Sequence, residues 1–436
     1  GRQVFFAALD LPMAVESIGA LNRLQGRAGD LLYRCWKLRD VLLAGVLGLW
    51  VGGFWIAEDG WYHRRALWVA VPFIVLAADR IVGAVSEVRW LWVVALLLGW
   101  QSLSRLWATP PPLEVGGVVD ACAVLGLAAA CVVIGRIKAL GFWVVGGLAI
   151  LGAVVVVYSL VAFYGSPARD LGVHRLRNML VYEEGLNAVL TGMLCAAGAV
   201  AGAWFTLSSK GRAGKILWAV VLGIFVFGVM ASQSRGPILG LMAGLGVIFF
   251  FKRRASLRVG LIVGGAAGVY FLPTVWTAGS GEVLERGSTG RLAIYQWYVE
   301  RISGLEFLFG RGFGTDSSIP AEELGWFVHH PHSSYLTQLV LGGALGVVLL
   351  LAVLAWSWHE AWRQGTRGEC LWAALLGCGL ITLLVDGAEI FTLHSVPRLE
   401  WLMVAFPAAL AVGRSFEERP AALRGESPAG ARESRS

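Results

Sequence analysis

The sequence is poor in charged residues, and lysine is especially scarce. Only 15% of its 436 residues are charged and 57% are hydrophobic, whereas soluble domains carry about 25% charged and roughly 45–50% apolar residues. This shortage of charge excludes an ordinary soluble domain and predicts an integral membrane protein. The six cysteines form no CxxC unit, so they predict neither a disulfide framework nor a zinc site. Glycine (57 residues) and tryptophan (20) are abundant, as is typical of membrane spans and their interfaces.

Apolar runs close to the ~20 residues that cross a bilayer recur along the chain. They predict an all-α polytopic membrane protein with about twelve transmembrane helices, nine in 41–274 and three in 334–413. The predicted spans are 41–57, 66–83, 90–108, 117–136, 143–164, 186–207, 215–232, 237–251, 257–274, 334–357, 369–386 and 400–413.

The remaining segments flank or connect these spans. Residues 1–40 mix charged with apolar side chains and predict a cytoplasmic or interfacial segment. They are not a signal peptide, because they contain no uninterrupted apolar core. Residues 275–333 form a large loop, in which 289–303 has the apolar spacing of an amphipathic helix. Residues 414–436 are rich in Arg, Glu, Ser and Pro and predict a disordered cytoplasmic tail.

Short basic connections set the orientation. Those at 135–140, 208–215 and 252–258 fall on one side of the twelve-span arrangement, together with both termini. Because positive loops stay in the cytoplasm, that side is predicted to be cytoplasmic and the large loop periplasmic. All five lysines then lie inside. The outer loops nevertheless carry arginines: Arg64, Arg65, Arg169, Arg175, Arg177, Arg235, Arg286, Arg291, Arg301, Arg311 and Arg398.

An outer face with arginine and no lysine favours recognition of phosphate or pyrophosphate, since guanidinium binds phosphate in a bidentate way. Scattered ion pairs with outer acids such as Asp170 and Glu300 are the structural alternative. Arg235 is the sharpest candidate. It precedes Gly236 and Pro237 at the start of an inward-running helix, and a helix N-terminus with an arginine makes an anion site. An arginine that reaches to lipid head groups is the alternative there.

Three histidines, His329, His330 and His332, stand directly before the span that begins near residue 334. The positive end of that helix disfavours protonated histidine, and a neutral imidazole can act as a general base. Head-group binding or helix capping are structural alternatives. A metal site is disfavoured because Pro331 constrains the backbone and the cluster contains no acidic residue or cysteine. We therefore expect neither a metal nor a cofactor.

The stretch LFGRGFGTDSS at 308–318 contains a GxGxG pattern. Its glycines permit a tight backbone close to a ligand, but the pattern alone is weak evidence for phosphate binding. No strand precedes it, so it does not predict a dinucleotide site. The sequence has no Walker-type lysine there, and ATP hydrolysis is not expected as the energy source.

Three stretches carry a resemblance to a known family. They are SRGPILGL at 234–241, GRLAIYQWYVERISGLEFLFGRGFGT at 290–315 and HPHSSYLTQLVLGGALG at 330–346. In this order, with a large outer loop and about twelve spans, they resemble the O-antigen ligase and polymerase superfamily of bacterial inner-membrane proteins. The motifs cover the C-terminal half of the chain, and the N-terminal half matches only in hydropathy.

The resemblance implies transfer of O-antigen polysaccharide from undecaprenyl pyrophosphate to lipid A–core on the periplasmic side. Arg235 and Arg291 would hold the donor pyrophosphate. His332 would activate the acceptor hydroxyl for a metal-independent, inverting displacement at the anomeric carbon. Further candidates for substrate binding are Arg311 and His330, with Arg169, Arg175 and Arg177 as possible contacts to acceptor phosphates. The partners implied are the lipid-linked donor, the lipid A–core acceptor and membrane lipids, with no nucleic acid.

Three other functions remain open from the sequence. An O-antigen polymerase would use the same donor with a lipid-linked acceptor. A protein O-oligosaccharyltransferase would use a Ser or Thr acceptor. A polysaccharide or lipid transporter belongs to another class and would need ionisable residues deep in the spans. The candidates Asp79, Arg80 and Asp120 fall near span ends, and no inverted repeat is apparent.

Overall fold

The computed structural model describes residues 38–56, 69, 71–109, 116–171, 173–178, 187–253, 258–267, 290–391 and 398–417. Within these ranges the regular secondary structure is helical, apart from isolated bridges between Leu171 and His174 and between Ile319 and Val328. The all-α prediction is confirmed for this part of the chain. Most of 1–40 and 414–436 lies outside the described residues.

The helices follow one another as a series of apolar segments with a group of short helices before the last three. They are α1 Leu38–Ile56, α2 Ala78–Glu87, α3 Arg89–Ser104, α4 Gly116–Arg136, α5 Lys138–Tyr164, α6 Ala188–Ser208, α7 Arg212–Ser232, α8 Arg235–Phe251, α9 Arg258–Ala267, α10 Arg291–Arg301, α11 Gly304–Phe309, α12 Ala321–Leu324, α13 Ser334–Thr366, α14 Leu371–Val385 and α15 Phe406–Glu417, the last preceded by a π-helical turn at Trp401–Ala405.

Six of the described helices are long and apolar enough to cross a membrane: α1, α4, α5, α6, α7 and α13. The pair α2 and α3, extended to Trp107 and bent by 88°, would make a seventh if it forms one span. Every predicted span overlaps a helix, but α8, α9, α14 and the helix at Trp401–Phe416 are shorter than 18 residues. A multi-pass helical membrane protein is therefore supported, and the number of twelve spans stays a prediction.

Helices α8 and α14 pack closely enough that their backbones nearly touch. A Cβ atom added at Gly240 would lie 1.9 Å from Thr382 Oγ1 and 2.7 Å from the Cys378 carbonyl oxygen. Small residues allow such contact between helices. This packing sets the beginning of α8 beside the end of α14, because the Cβ position of Gly236 lies 3.8 Å from Asp386 Cβ.

The described residues of the large loop, 290–333, fold over the beginning of α13 around a small core. That core is formed by Ile294 and Tyr298 of α10, Phe313, Ile319 and Val328 of the loop, and Val340 and Leu341 of α13. The predicted amphipathic helix at 289–303 agrees with α10, whose buried residues are Ile294 and Tyr298. The loop thus holds the start of α10 next to the start of α13.

Helix α13 is broken at Gly343, which has φ 65° and ψ −173°. The break leaves carbonyl groups that the loop satisfies, since the Arg311 and Gly312 N–H groups donate to Val340 O (2.9 Å) and Leu341 O (3.0 Å). Trp100 Nε1 donates to Gly342 O (2.8 Å). The glycine-rich turn therefore contacts the backbone of α13. This close contact is a structural reason for the glycines in the turn.

Candidate active site

His332 lies at the start of α13, where the sequence placed it. Ser333 is the N-cap residue, and its hydroxyl accepts the Leu336 N–H at 3.5 Å. The backbone of His332 is left-handed, with φ 54°, a conformation that is uncommon for residues other than glycine. Strained backbone at a polar position is often part of a functional site. The imidazole of His332 lies near the end of α14, where its Nδ1 is 3.6 Å from Asp386 Oδ1.

Asp386 joins His332 to Arg291. The Arg291 Nη2 atom lies 2.6 Å from Asp386 Oδ2, and His332 Nδ1 lies 3.6 Å from Oδ1. The first contact is a short charge-assisted hydrogen bond, whereas the second is longer than a hydrogen bond. The Asp386 side chain is 9% exposed, against 26% for Arg291 and 36% for His332. One buried carboxylate therefore holds a cation and an imidazole that both reach solvent.

The carboxylate of Asp386 is ionised despite its burial. Burial alone would raise its pKa, but the contact with His332, the charge of Arg291 and the N–H of Gly387 together hold the pKa below its ordinary value. The Gly387 N–H donates to Asp386 Oδ1 at 3.0 Å. Asp386 is thus a fixed negative charge beside the imidazole of His332.

Helix α10 supplies two residues to this cluster from one face. Arg291 and Tyr295 are four positions apart and lie on the same side of the helix, and the Tyr295 hydroxyl donates to the His332 carbonyl oxygen at 3.1 Å. Burial raises the pKa of Tyr295, partly offset by the charge of Arg291. Its hydroxyl therefore keeps its proton, and the bond supports the strained backbone of His332.

His330 lies against His332, with ring centroids 4.2 Å apart. Its Nδ1 accepts the backbone N–H of His332 at 3.1 Å. Burial, and then repulsion by His332, lower the pKa of His330 to about 4. His330 is therefore neutral at neutral pH and supports the loop geometry. The third histidine, His329, is exposed and packs edge-on against Phe327.

Arg235 is exposed at the first position of α8, and the close contact of Gly236 with Asp386 sets it at the same end of the helix pair. The turn before it is held by Arg175, whose Nε donates to Ser232 O (3.1 Å) and whose Nη2 donates to Ser234 Oγ (2.7 Å). The structure thus brings Arg175 to the Arg235 turn, where it has a structural contact that the sequence did not predict.

The other predicted binding residues have different surroundings. Arg311 lies 3.5 Å from Glu306. The guanidinium of Arg169 lies over the Phe163 ring, 4.5 Å from its centre, and Arg177 is exposed. The contacts that assemble Arg291, His332 and Asp386 do not include these three arginines. Within the ranges that the structure describes, no group of three or more His, Cys, Asp or Glu residues is arranged to hold a metal.

Sequence reasoning missed Asp386, although the chain offered a signal for it. Asp386 ends the apolar run at 369–386 and is followed by Gly387. An acidic residue at the end of a span is a candidate for function by default. The sequence pattern marks Tyr295 only as one position within the predicted amphipathic helix at 289–303. Neither role could be derived without knowing that α10, α13 and α14 meet at one point.

A sequence model described as O-antigen ligase matches residues 218–351 of the chain. The chain is also 27% identical over 412 residues to a curated O-antigen ligase from Pseudomonas aeruginosa, covering 88% of this chain and 93% of that protein. The resemblance to the O-antigen ligases is confirmed. The family match spans Arg235, Arg291, Arg311, His330 and His332, so most of the predicted site lies inside it. Asp386 lies beyond the residues that this sequence model matches.

Proposed function

We propose that this chain is an O-antigen ligase of the bacterial inner membrane. It would transfer O-antigen polysaccharide from undecaprenyl pyrophosphate to lipid A–core on the periplasmic face. The likeness to O-antigen ligases supports the general activity. The observation that supports the chemistry is the cluster in which Asp386 contacts both Arg291 and His332. In this cluster a guanidinium and an imidazole lie beside one buried carboxylate, which supports roles for them in phosphate binding and in base catalysis.

Arg291 would bind the pyrophosphate of the donor. Its guanidinium has five N–H donors, so a phosphate can bind while the bond to Asp386 remains. Arg235 would bind the same group from the start of α8, where the helix dipole adds positive potential. Positive groups fixed in place stabilise the charge that develops on a leaving pyrophosphate. Because two arginines can supply this charge, we propose a reaction that needs no metal.

His332 would be the general base. Its Nδ1 faces Asp386, which leaves Nε2 to accept the proton of the acceptor hydroxyl. The carboxylate of Asp386 would stabilise the imidazolium that forms, as carboxylates that contact a catalytic histidine do in other enzymes. The acceptor oxygen bonds to the anomeric carbon while the bond from that carbon to the pyrophosphate oxygen breaks. A single displacement of this kind inverts the configuration at the anomeric carbon.

The proposal is tested by reconstituting the purified protein with lipid-linked O-antigen and lipid A–core. We expect His332→Ala to abolish transfer and the matched variant His329→Ala to retain it, since His329 is exposed and packs against Phe327. Both variants must fold and insert as the wild type does. Near-normal transfer by His332→Ala would rule out this base.

The acceptor separates a ligase from an O-antigen polymerase. We expect transfer to lipid A–core and none to a second lipid-linked O-unit; the reverse result would identify a polymerase. Transfer to a Ser or Thr peptide would identify a protein O-oligosaccharyltransferase. Contacts of Arg169 and Arg177 with acceptor phosphates remain part of the proposal and would show as a raised KM for lipid A–core in their alanine variants.

A further inference from the structure

Glu400 is a buried acid that the proposed chemistry does not use directly. Glu400 is 6% exposed and lies just before the π-helical turn at Trp401–Ala405. Acidic side chains are rarely buried unless they have a partner. Among the described residues, the ion pairs within 4 Å do not include Glu400. Its position therefore calls for a role in holding structure or substrate.

The partner of Glu400 is the turn that carries Asp386. Glu400 Oε1 accepts the Ala388 N–H at 2.7 Å, two residues after Asp386. A carboxylate that accepts a buried backbone N–H forms a strong bond, and removing the acceptor leaves that N–H unsatisfied. Glu400 thus fixes the backbone directly behind the Asp386 carboxylate.

The same turn is pressed against the start of α13 at Gly387. Gly387 has φ 107°, a conformation that favours glycine. A Cβ atom added there would lie 2.8 Å from Ser334 Oγ and 3.2 Å from Glu400 Cγ. The turn at 386–388 therefore packs closely against both Glu400 and Ser334, and Ser334 follows His332 by two residues. Because of this packing, the position of Asp386 depends on that of the residues around His332.

We propose that Glu400 is a positioning residue for the transfer reaction, which holds the turn 386–388 so that Asp386 contacts Arg291 and His332 together. The inference rests on the proposed function of that cluster. A displacement of about 1 Å in a catalytic arrangement can reduce the rate up to ~100-fold. The contacts of 2.6 Å and 3.6 Å at Asp386 would both change if the turn moved. Glu400 does not touch the reacting groups and would act through Asp386.

The test compares Glu400→Met with Glu400→Gln in the reconstituted transfer assay. Methionine has a similar volume but no acceptor for the Ala388 N–H, whereas the glutamine carbonyl keeps one. We expect Glu400→Met to lower kcat about tenfold or more with KM for the donor changed less than about twofold. Glu400→Gln should restore kcat to within about threefold of the wild type. Equal loss in both variants would overturn the proposal.

A double variant shows whether Glu400 acts through Asp386. If it does, adding Glu400→Met to Asp386→Asn should cause no further loss of kcat, since residues that act as a unit are not additive. An additive loss would overturn the inference. Should Glu400→Met fail to fold, Gly387→Ala replaces it, because its Cβ atom would crowd Ser334 and Glu400 and displace the same turn. Wild-type kcat in that variant would contradict the inference. Wild-type transfer by Asp386→Asn alone would instead refute the proposed site itself.

Discussion

Asp386 carries two interactions at once, because its carboxylate faces both Arg291, which we propose binds the donor, and His332, the proposed base. Asp386→Asn keeps the shape of the side chain but removes the charge that faces Arg291 and His332. We expect kcat for transfer to fall about 100-fold, within the range attributed to general-base catalysis and its support. The control is Glu323→Gln, an exposed acid that pairs with Arg301 and should leave kcat unchanged. A loss below about threefold in Asp386→Asn would contradict the account.

The lowered pKa of His330 makes the free energy of unfolding depend on pH. Its pKa falls from 6.5 to about 4 in the folded protein because of burial. As the pH falls through this window, the unfolded chain binds a proton that the folded chain does not, so stability is lost. In detergent, the midpoint of thermal unfolding should fall by about 2 °C or more between pH of about 7 and about 5. His330→Gln should reduce this dependence, and an unchanged slope in that variant would contradict it.

At the scale of elements, the turn between α7 and α8 depends on Arg175. Its two hydrogen bonds to Ser232 and Ser234 hold the residues just before Arg235. Arg175→Ala should lower kcat about tenfold, and Arg175→Lys should not restore it, because lysine lacks the planar fork. Steady-state kinetics checks this. A raised KM for lipid A–core at unchanged kcat would show instead that Arg175 contacts the acceptor.

The break in α13 gives a second prediction at this scale. A Cβ atom at Gly343 would lie 2.4 Å from Leu308 O and 2.5 Å from Gly310 N, and its φ of 65° is itself unfavourable for alanine. Gly343→Ala should cost about 2 kcal/mol or more of stability, seen as a lower thermal midpoint. Gly223→Ala in α7 is the control, since nothing lies within 4 Å of its added Cβ. Equal midpoints would mean that the loop does not interlock with α13.

The sequence predicts the positions of the helices well because apolar runs near the spanning length mark them directly. It predicts His332 at a helix start for the same reason, because an apolar run begins directly after the histidines. In the structure Ser333 caps that helix. The 88° bend between α2 and α3 and the break at Gly343 depend on contacts between distant segments. Asp386 escaped prediction for this reason too: its partners Arg291 and His332 belong to helices that only the fold brings together.

At the scale of the whole molecule, the site requires the loop at 290–333 and the connection at 208–215 to lie on opposite sides of the membrane. This follows from the basic connections, which are expected to stay in the cytoplasm. The cysteine introduced by Glu322→Cys should react with a membrane-impermeant maleimide in spheroplasts. The cysteine introduced by Lys210→Cys should react only after the membrane is permeabilised. Both positions are exposed on the protein. Labelling of both from outside, or of Lys210→Cys alone, would contradict the orientation.

The central claim is that one base, His332, supported by Asp386, drives a single displacement at the anomeric carbon. The configuration of the new glycosidic bond, compared with that of the donor by nuclear magnetic resonance of the purified product, tests it most directly. Inversion is the expected result, because in the proposed reaction the acceptor oxygen would attack opposite the pyrophosphate that Arg291 would bind. Retention would require two successive displacements through a covalent intermediate, and it would contradict the account.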